Sequence, residues 1–259
     1  MSETALVTGA GTGVGRAIAL ALANRGMRVA LVGRRTGPIE ETAAMIRSSG
    51  GDSSAWTGDA TDDARMAVIL EAISSRWGPV SVLVNNAGYH GGFARITESE
   101  PGSWRNSLLT NVYGPYLLCR LCAPAMLAAG RGWMVNVSSA AGLSEPQARS
   151  SDYVLTKVAL NYLTRQIAAD LEGTGVACCA IHPGEVKTEM WQAIKADAIS
   201  RGEAGRGALG WADMVEQTGG DPPEKAAELV LGLLDSPVED VNGKFHWIDG
   251  GIQAPRPTW

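Results

Sequence analysis

Tyr153 and Lys157 stand four residues apart at the start of Ser151 to Leu171, a stretch of helical composition, so a helix there turns both side chains the same way. An ammonium beside a phenol favours the phenolate and draws its pKa from about 10 toward working pH. Tyr153 is then a candidate proton donor and acceptor, although the same spacing on an exposed helix face would be plain surface chemistry. Two neighbouring patterns favour the first reading. Val135-Asn136-Val137-Ser138-Ser139 is a β run that ends in hydroxyls, and Val82-Leu83-Val84-Asn85-Asn86-Ala87-Gly88 is another that ends in polar and small residues. Open α/β sheets hold their ligands at such strand ends.

A second chemistry lies near the N terminus, where Thr8-Gly9-Ala10-Gly11-Thr12-Gly13-Val14-Gly15 follows a β run and precedes the helix formers Arg16 to Ala23. Glycines permit a tight turn and close backbone approach, and the helix N terminus offers free N–H groups and a positive dipole end to a pyrophosphate. Placed between a strand and a helix, the glycines have the context that a dinucleotide loop requires. About twenty positions onward, where NAD-binding units carry an acid for the adenosine ribose, the chain reads Gly33-Arg34-Arg35. Guanidinium groups hold a 2′-phosphate rather than a ribose hydroxyl, so NADP is preferred over NAD. The alternative for both arginines is solvated surface charge.

The elements that must position these groups are legible as an alternation. Thr4 to Thr8, Arg28 to Val32, Ser53 to Trp56, Val80 to Asn85, Trp133 to Val137, Val176 to Ile181 and Lys244 to Ile248 read as strands, with helical stretches between them. Apolar strands alternating with helices predict an α/β fold with a doubly wound, seven-stranded parallel sheet covered by helices on both faces. One domain is expected over residues 1–259. From Glu189 to Asp221 the rhythm breaks into glycine-rich, mixed helical sequence with Trp191 and Trp211, which predicts a lid over the site, with a surface excursion as the alternative.

Composition narrows the partners. A net charge of -5 lacks the basic footprint of a nucleic-acid binder, and no stretch reaches the roughly 18 uninterrupted apolar residues of a membrane span. The N terminus lacks the form of a signal peptide, so the cytoplasm is the expected location. Cys119, Cys122, Cys178 and Cys179 sit in apolar runs and read as buried free thiols, and His90, His182 and His246 form no ligand cluster, so no metal is expected. His90 is the histidine that borders the expected cleft.

Together the motifs Thr8-Gly9-x-x-x-Gly13-x-Gly15, Asp59, Asn85-Asn86-Ala87-Gly88, Asn111, Ser138-Ser139, Tyr153-x-x-x-Lys157, Pro183-Gly184 with Thr188, and Asp249-Gly250-Gly251 resemble the short-chain dehydrogenase/reductase family, in a ketoreductase-like form, from Thr4 to Gly251. The resemblance implies a Rossmann fold and hydride transfer between a nicotinamide dinucleotide and a ketone or secondary alcohol. It implies a catalytic set of Asn111, Ser139, Tyr153 and Lys157. The serine would bind the substrate oxygen and the tyrosine would move the proton. The lysine would hold the nicotinamide ribose and tune the tyrosine, and Asn111 would help carry a proton relay through water.

By the same resemblance the cofactor would touch Gly9, Gly11, Thr12, Gly13, Val14 and Gly15, with Asp59 and Ala60 at the adenine, and Asn86, Ala87 and Gly88 supporting the adenosine side. Pro183, Gly184, Val186 and Thr188 would lie toward the nicotinamide. Thr12 stands where many NADP-using relatives carry a basic residue, so the 2′-phosphate preference rests on Arg34 and Arg35. The segment from Ser139 to Tyr153 is one residue longer than usual, which leaves Ser138 and Ser139 both open as the catalytic hydroxyl, with Ser139 preferred. The resemblance also implies a homotetramer or homodimer, paired through helices around Asn111 and Tyr153, with the tail Gln253 to Trp259 reaching a neighbour.

Tyr89, His90, Phe93, Glu145, Gln147 and Glu185, with Met190, Trp191, Trp211 and Met214, are candidates for the substrate wall. Their mixture suits a sizeable, partly aromatic ketone or alcohol with polar decoration: a β-ketoacyl thioester, a polyketide or steroid-like ketone, or a sugar-derived ketone. Three other functions compete with an NADP-dependent ketoreductase. They are a silent dinucleotide-binding regulator, an NAD-dependent alcohol dehydrogenase, and an enzyme using transient hydride transfer for epimerisation or dehydration. The complete Asn111, Ser139, Tyr153, Lys157 set disfavours the first, and the lack of a larger C-terminal substrate domain disfavours the last.

Overall fold

Alternate residues of a strand face opposite sides of a sheet, and here both sides are apolar, so the strands must be covered twice. The computed structural model describes residues 3–146, 148–249 and 252–253. Of the residues singled out above, Gln147, Gly250, Gly251 and the tail 254–259 lie outside the described residues. The strands are β1 Thr4–Thr8, β2 Arg28–Gly33, β3 Ser53–Thr57, β4 Val82–Asn85, β5 Gly132–Val137, β6 Val176–His182, β7 Phe245–Trp247 and β8 Ile252–Gln253. The first seven are parallel, as the sequence predicts, and they lie in the order β3-β2-β1-β4-β5-β6-β7. The eighth was not predicted: it folds back antiparallel on β7. Its connection is far too short for the crossover that a parallel strand needs.

In chain order the helices are α1 Gly13–Asn24, α2 Thr36–Ser48, α3 Asp63–Trp77, α4 Pro101–Leu108, α5 Gly114–Ala129, α6 Tyr153–Asp170, α7 Glu189–Ser200, α8 Arg206–Thr218, α9 Pro223–Asp235 and α10 Val238–Val241. One side of the sheet, with Val7, Leu31, Val84 and Cys179, packs on α1, α2 and α9 through Ile18, Leu22, Ile39 and Val230. The other side, with Leu6, Leu83, Met134 and Cys178, packs on α3, α5 and α6 through Ile69, Leu118, Cys122 and Ala168. A π-helical turn, Leu109–Tyr113, joins α4 to α5. The resulting helix, Pro101–Ala129, has the length and mean hydropathy (1.3) of a membrane span. Much of that apolar character goes into the core, where Leu117, Leu118, Cys122 and Met126 are buried.

Two buried amides pin the sheet to α6. Asn85 Nδ2 donates to Asn136 Oδ1 at 2.9 Å, and Asn136 Nδ2 donates to Thr164 Oγ1 at 2.9 Å. Asn85 therefore faces the core rather than the cleft. Asn136→Leu strips both neighbours of a partner in a site closed to water, so a loss of about 2–4 kcal/mol is expected, read as a lower urea midpoint with unchanged m value.

Candidate active site

The parallel arrangement brings the ends of β1, β4, β5 and β6 to one rim, with the strand order reversing between β1 and β4, where a crevice must open. At that crevice Thr12 precedes α1 in an extended conformation and makes no side-chain cap, which leaves the first N–H groups of the helix without that partner. The glycines are required by contact. A Cβ on Gly15 would lie 2.4 Å from both Gly9 O and Asn86 Nδ2, and one on Gly13, at φ 51°, would lie 2.8 Å from Thr188 Cγ2. Asn86 Nδ2 donates to Thr8 O and Gly9 O at 3.0 and 3.1 Å, which holds the loop against β4. A cradle of bare backbone and free donors fits a pyrophosphate.

Around this cradle, Asp59 and the buried Ala60 follow β3, with Asp59 Oδ1 accepting from the backbone and hydroxyl of Thr61 at 2.9 and 2.8 Å. Ala87 and Gly88 follow β4, and Ala87 N–H is held by Thr8 Oγ1 at 3.0 Å. Gly11 approaches Pro38 closely enough that a Cβ would lie 2.7 Å from its ring, and Val14 is buried under the loop. Pro183, Gly184 (φ 87°) and Val186 form the loop after β6, and Thr188 Oγ1 caps α7 by accepting from Trp191 N–H. Arg34 and Arg35 are exposed beyond β2, and Arg35 Nη2 meets Glu189 Oε2 at 2.5 Å.

The proton-transfer group lies across the same rim. Tyr153 opens α6, its N–H capped by Asp152 at 2.7 Å, and one turn later Lys157 Nζ donates to Val137 O at 2.9 Å, 5.5 Å from the Tyr153 ring centre. The Ser139 hydroxyl, which accepts from Ala141 N–H at 3.1 Å, lies close enough to the Tyr153 phenol to favour its ionised form. Ser138 is not available, because its hydroxyl donates to Asn161 Oδ1 at 2.6 Å inside the core, so the geometry favours Ser139. Asn111 lies in the π turn. Its Nδ2 donates to Tyr89 O and Thr156 Oγ1 at 2.8 and 2.9 Å, and its Oδ1 accepts from Tyr89 N–H at 2.8 Å. The amide thus clamps the chain after β4 onto α6.

The electrostatics differ from expectation. Burial pushes the Tyr153 phenol up to about 12, and the charge of Glu185 adds to that, while the Ser139 hydroxyl pulls the other way. Burial also brings Lys157 down to about 8. The anticipated lowering of the phenol is therefore absent: desolvation opposes both charges, and both groups move toward neutrality.

On the substrate side His90 lies 5.1 Å from the Tyr153 ring centre and 4.7 Å from Phe93, with Gly92 N–H donating to its Nδ1. Burial lowers its pKa. Asp197 of α7 accepts from Phe93 N–H at 3.1 Å and from Arg201 at 2.8 Å, tying α7 to this loop. Trp211 reaches Glu185 from α8, and Met190 approaches Gly88. Trp191 is not a wall residue: with Ala212 and Val215 it fills a small core between α7 and α8, because its ring is on the inner face of that helix pair. Met214 and Glu145 are exposed.

Sequence reasoning placed His182 among structural residues and missed what it holds. Its Nδ1 accepts from Ala140 N–H at 3.2 Å, directly after Ser139, and its buried ring packs on Trp247 at 4.4 Å. Asp152, Thr156 and Asn161 were likewise overlooked, since nothing local marks a residue whose partner lies on another element. Among the described residues no cluster of metal-ligating side chains occurs.

A family model described as short chain dehydrogenase matches residues 3–199. The 2-(S)-hydroxypropyl-CoM dehydrogenase 3 of Xanthobacter autotrophicus is 32% identical over 98% of this chain and 97% of its own length. The galactitol 2-dehydrogenase (L-tagatose-forming) of Cereibacter sphaeroides is 33% identical over 95% and 93%. Among solved structures, an actinorhodin polyketide ketoreductase variant with NADPH superposes with a TM-score of 0.86 at 29% identity, covering 96% of this chain and 97% of the other.

Proposed function

The chain belongs to the short-chain dehydrogenase family, and from that premise we propose that it is an NADP-dependent oxidoreductase interconverting a ketone and a secondary alcohol. The observation that carries the reading is the contact of Ser139 with Tyr153, one helical turn from Lys157, on the rim that also bears the glycine cradle. When bound, the nicotinamide would supply the hydride in reduction and take it up in oxidation. The N–H groups of Gly13 to Gly15 would hold the pyrophosphate, Asp59 and Ala60 the adenine end, Arg34 and Arg35 the 2′-phosphate, and Val186 and Thr188 the nicotinamide end.

In reduction Tyr153 gives its proton to the carbonyl oxygen while Ser139 donates a hydrogen bond to the same atom, so negative charge develops against two donors. Lys157 would bind the ribose and keep a positive charge beside the phenol. The Asn111 amide is occupied on both sides, which supports a positioning role and leaves a water relay to other polar atoms. The pair α7 and α8 serves as a lid, supported by the Asp197 and Trp211 contacts.

Assay of NADPH and NADH oxidation against a ketone panel tests the whole reading. Arg34→Ser with Arg35→Ser is expected to cut kcat/KM for NADPH by about 10–100-fold and leave NADH within about twofold. A wild-type preference for NADH would overturn the cofactor assignment.

Exposed Tyr116 on α5 with Leu155, Val158 and Tyr162 on α6 forms an apolar face that supports a homodimer or homotetramer, which sedimentation equilibrium tests. The free, buried thiols suit a reducing compartment, the cytoplasm.

A further inference from the structure

Glu185 follows Pro183 and Gly184 in the loop after β6, half-buried, with its backbone N–H fixed by Asp221 Oδ2 at 2.9 Å. One carboxylate oxygen, Oε2, accepts from Trp211 Nε1 of α8 at 2.8 Å. The other takes no hydrogen bond from a described residue, and no lysine or arginine among them pairs with it. Its neighbour is His182 Nε2, 3.8 Å away, too far for a direct hydrogen bond. The carboxylate is close enough to Tyr153 to oppose its ionisation. About a third of the Glu185 side chain is exposed, so the open oxygen is reached from the cleft and can take a donor from a bound substrate in place of water.

The chemistry of that donor follows from His182. Because its Nδ1 accepts from Ala140 N–H, a neutral ring carries its proton on Nε2, and burial keeps the ring neutral, with a pKa down to about 4. Next to the open carboxylate oxygen there is therefore an N–H donor. A hydroxyl satisfies both groups, since it donates to the carboxylate and accepts from the imidazole. An ammonium cannot accept from the N–H, and a carboxylate or phosphate is repelled by Glu185.

Resting on the carbonyl-alcohol reading above, we propose that Glu185, aimed by Trp211 and flanked by His182, selects a neutral polyhydroxylated substrate, of the keto-sugar and alditol class, by binding a hydroxyl near the reacting carbon. Substrates carrying an acid group at that place are excluded, and ketones lacking the hydroxyl forfeit the interaction.

The experiment compares the wild type, Glu185→Gln and Glu185→Leu on three probes with NADPH: the neutral 2-ketohexoses, 2-hexanone, and a six-carbon keto acid. NADPH fluorescence titration verifies that each variant binds cofactor. The wild type is expected to prefer a ketohexose over the other two probes by at least about tenfold in kcat/KM. Glu185→Leu should lose about 100-fold on the ketohexose, mostly in KM, and less than about threefold on 2-hexanone, with Glu185→Gln between. Equal losses on ketohexose and 2-hexanone, or no loss on either, would overturn the proposal, as would a wild type that prefers 2-hexanone or the keto acid. Reduction of 2-hexanone with no reduction of any ketohexose removes only the Glu185 assignment. A wild type that reduces no ketone with either cofactor removes the oxidoreductase reading with it.

Discussion

Tyr153→Phe is expected to lower kcat by about a thousandfold while NADPH affinity stays within about twofold. The substitution removes one oxygen and little else. The ring that packs 5.1 Å from His90 and 5.5 Å from Lys157 remains, and Asp152 still caps the helix through the Tyr153 backbone N–H. What disappears is the proton donor beside Ser139. Single-turnover kinetics at saturating NADPH, with a fluorescence titration of the cofactor, separates the two effects. Full turnover in the variant would remove Tyr153 from the mechanism.

The second large effect concerns pH. With Tyr153 pushed up to about 12, the phenol does not titrate in the ordinary assay range, whereas Lys157, down to about 8, does. The wild-type rate of reduction should therefore hold from pH 6 to about 7.5 and fall as Lys157 loses its proton near 8. Lys157→Met should reduce kcat by about 100-fold at pH 7 and flatten the profile between pH 6 and 9. A limb at pH 8 that survives in Lys157→Met would assign it to another group. The same shift has a sign for stability. The folded-state pKa lies below the 10.5 of a free lysine, so between pH 8 and 10.5 the unfolded chain binds more protons, and folding becomes more favourable as pH rises through that window.

Local chemistry was the part of this molecule legible in the sequence. The glycine loop, the Tyr153 and Lys157 spacing and the hydroxyls after β5 are each written in nearby residues, and the parallel strands follow from unbroken apolar runs such as Val176 to Ile181. What the sequence concealed depends on partners far along the chain. The hydrogen bond that occupies the Ser138 hydroxyl comes from Asn161, a residue of another element. Trp191 reads as a cleft aromatic until α8 is seen to cover it. The π turn at Asn111 changes a hydrogen-bond step by one residue and leaves no mark in composition. The lowered phenol pKa was expected from a charge beside it, but burial acts on both partners at once, and burial is a property of the folded molecule.

Cys178 and Cys179 are neighbours on β6, yet one thiol enters the layer with α3, α5 and α6 and the other the layer with α1, α2 and α9. Both are buried, so an alkylating reagent reaches either only when the sheet parts from the helices on that side. Adjacent positions of one strand thus act as two separate clocks. Loosening of the catalytic helix layer would label Cys178 first, and loosening of the dinucleotide-side layer would label Cys179 first.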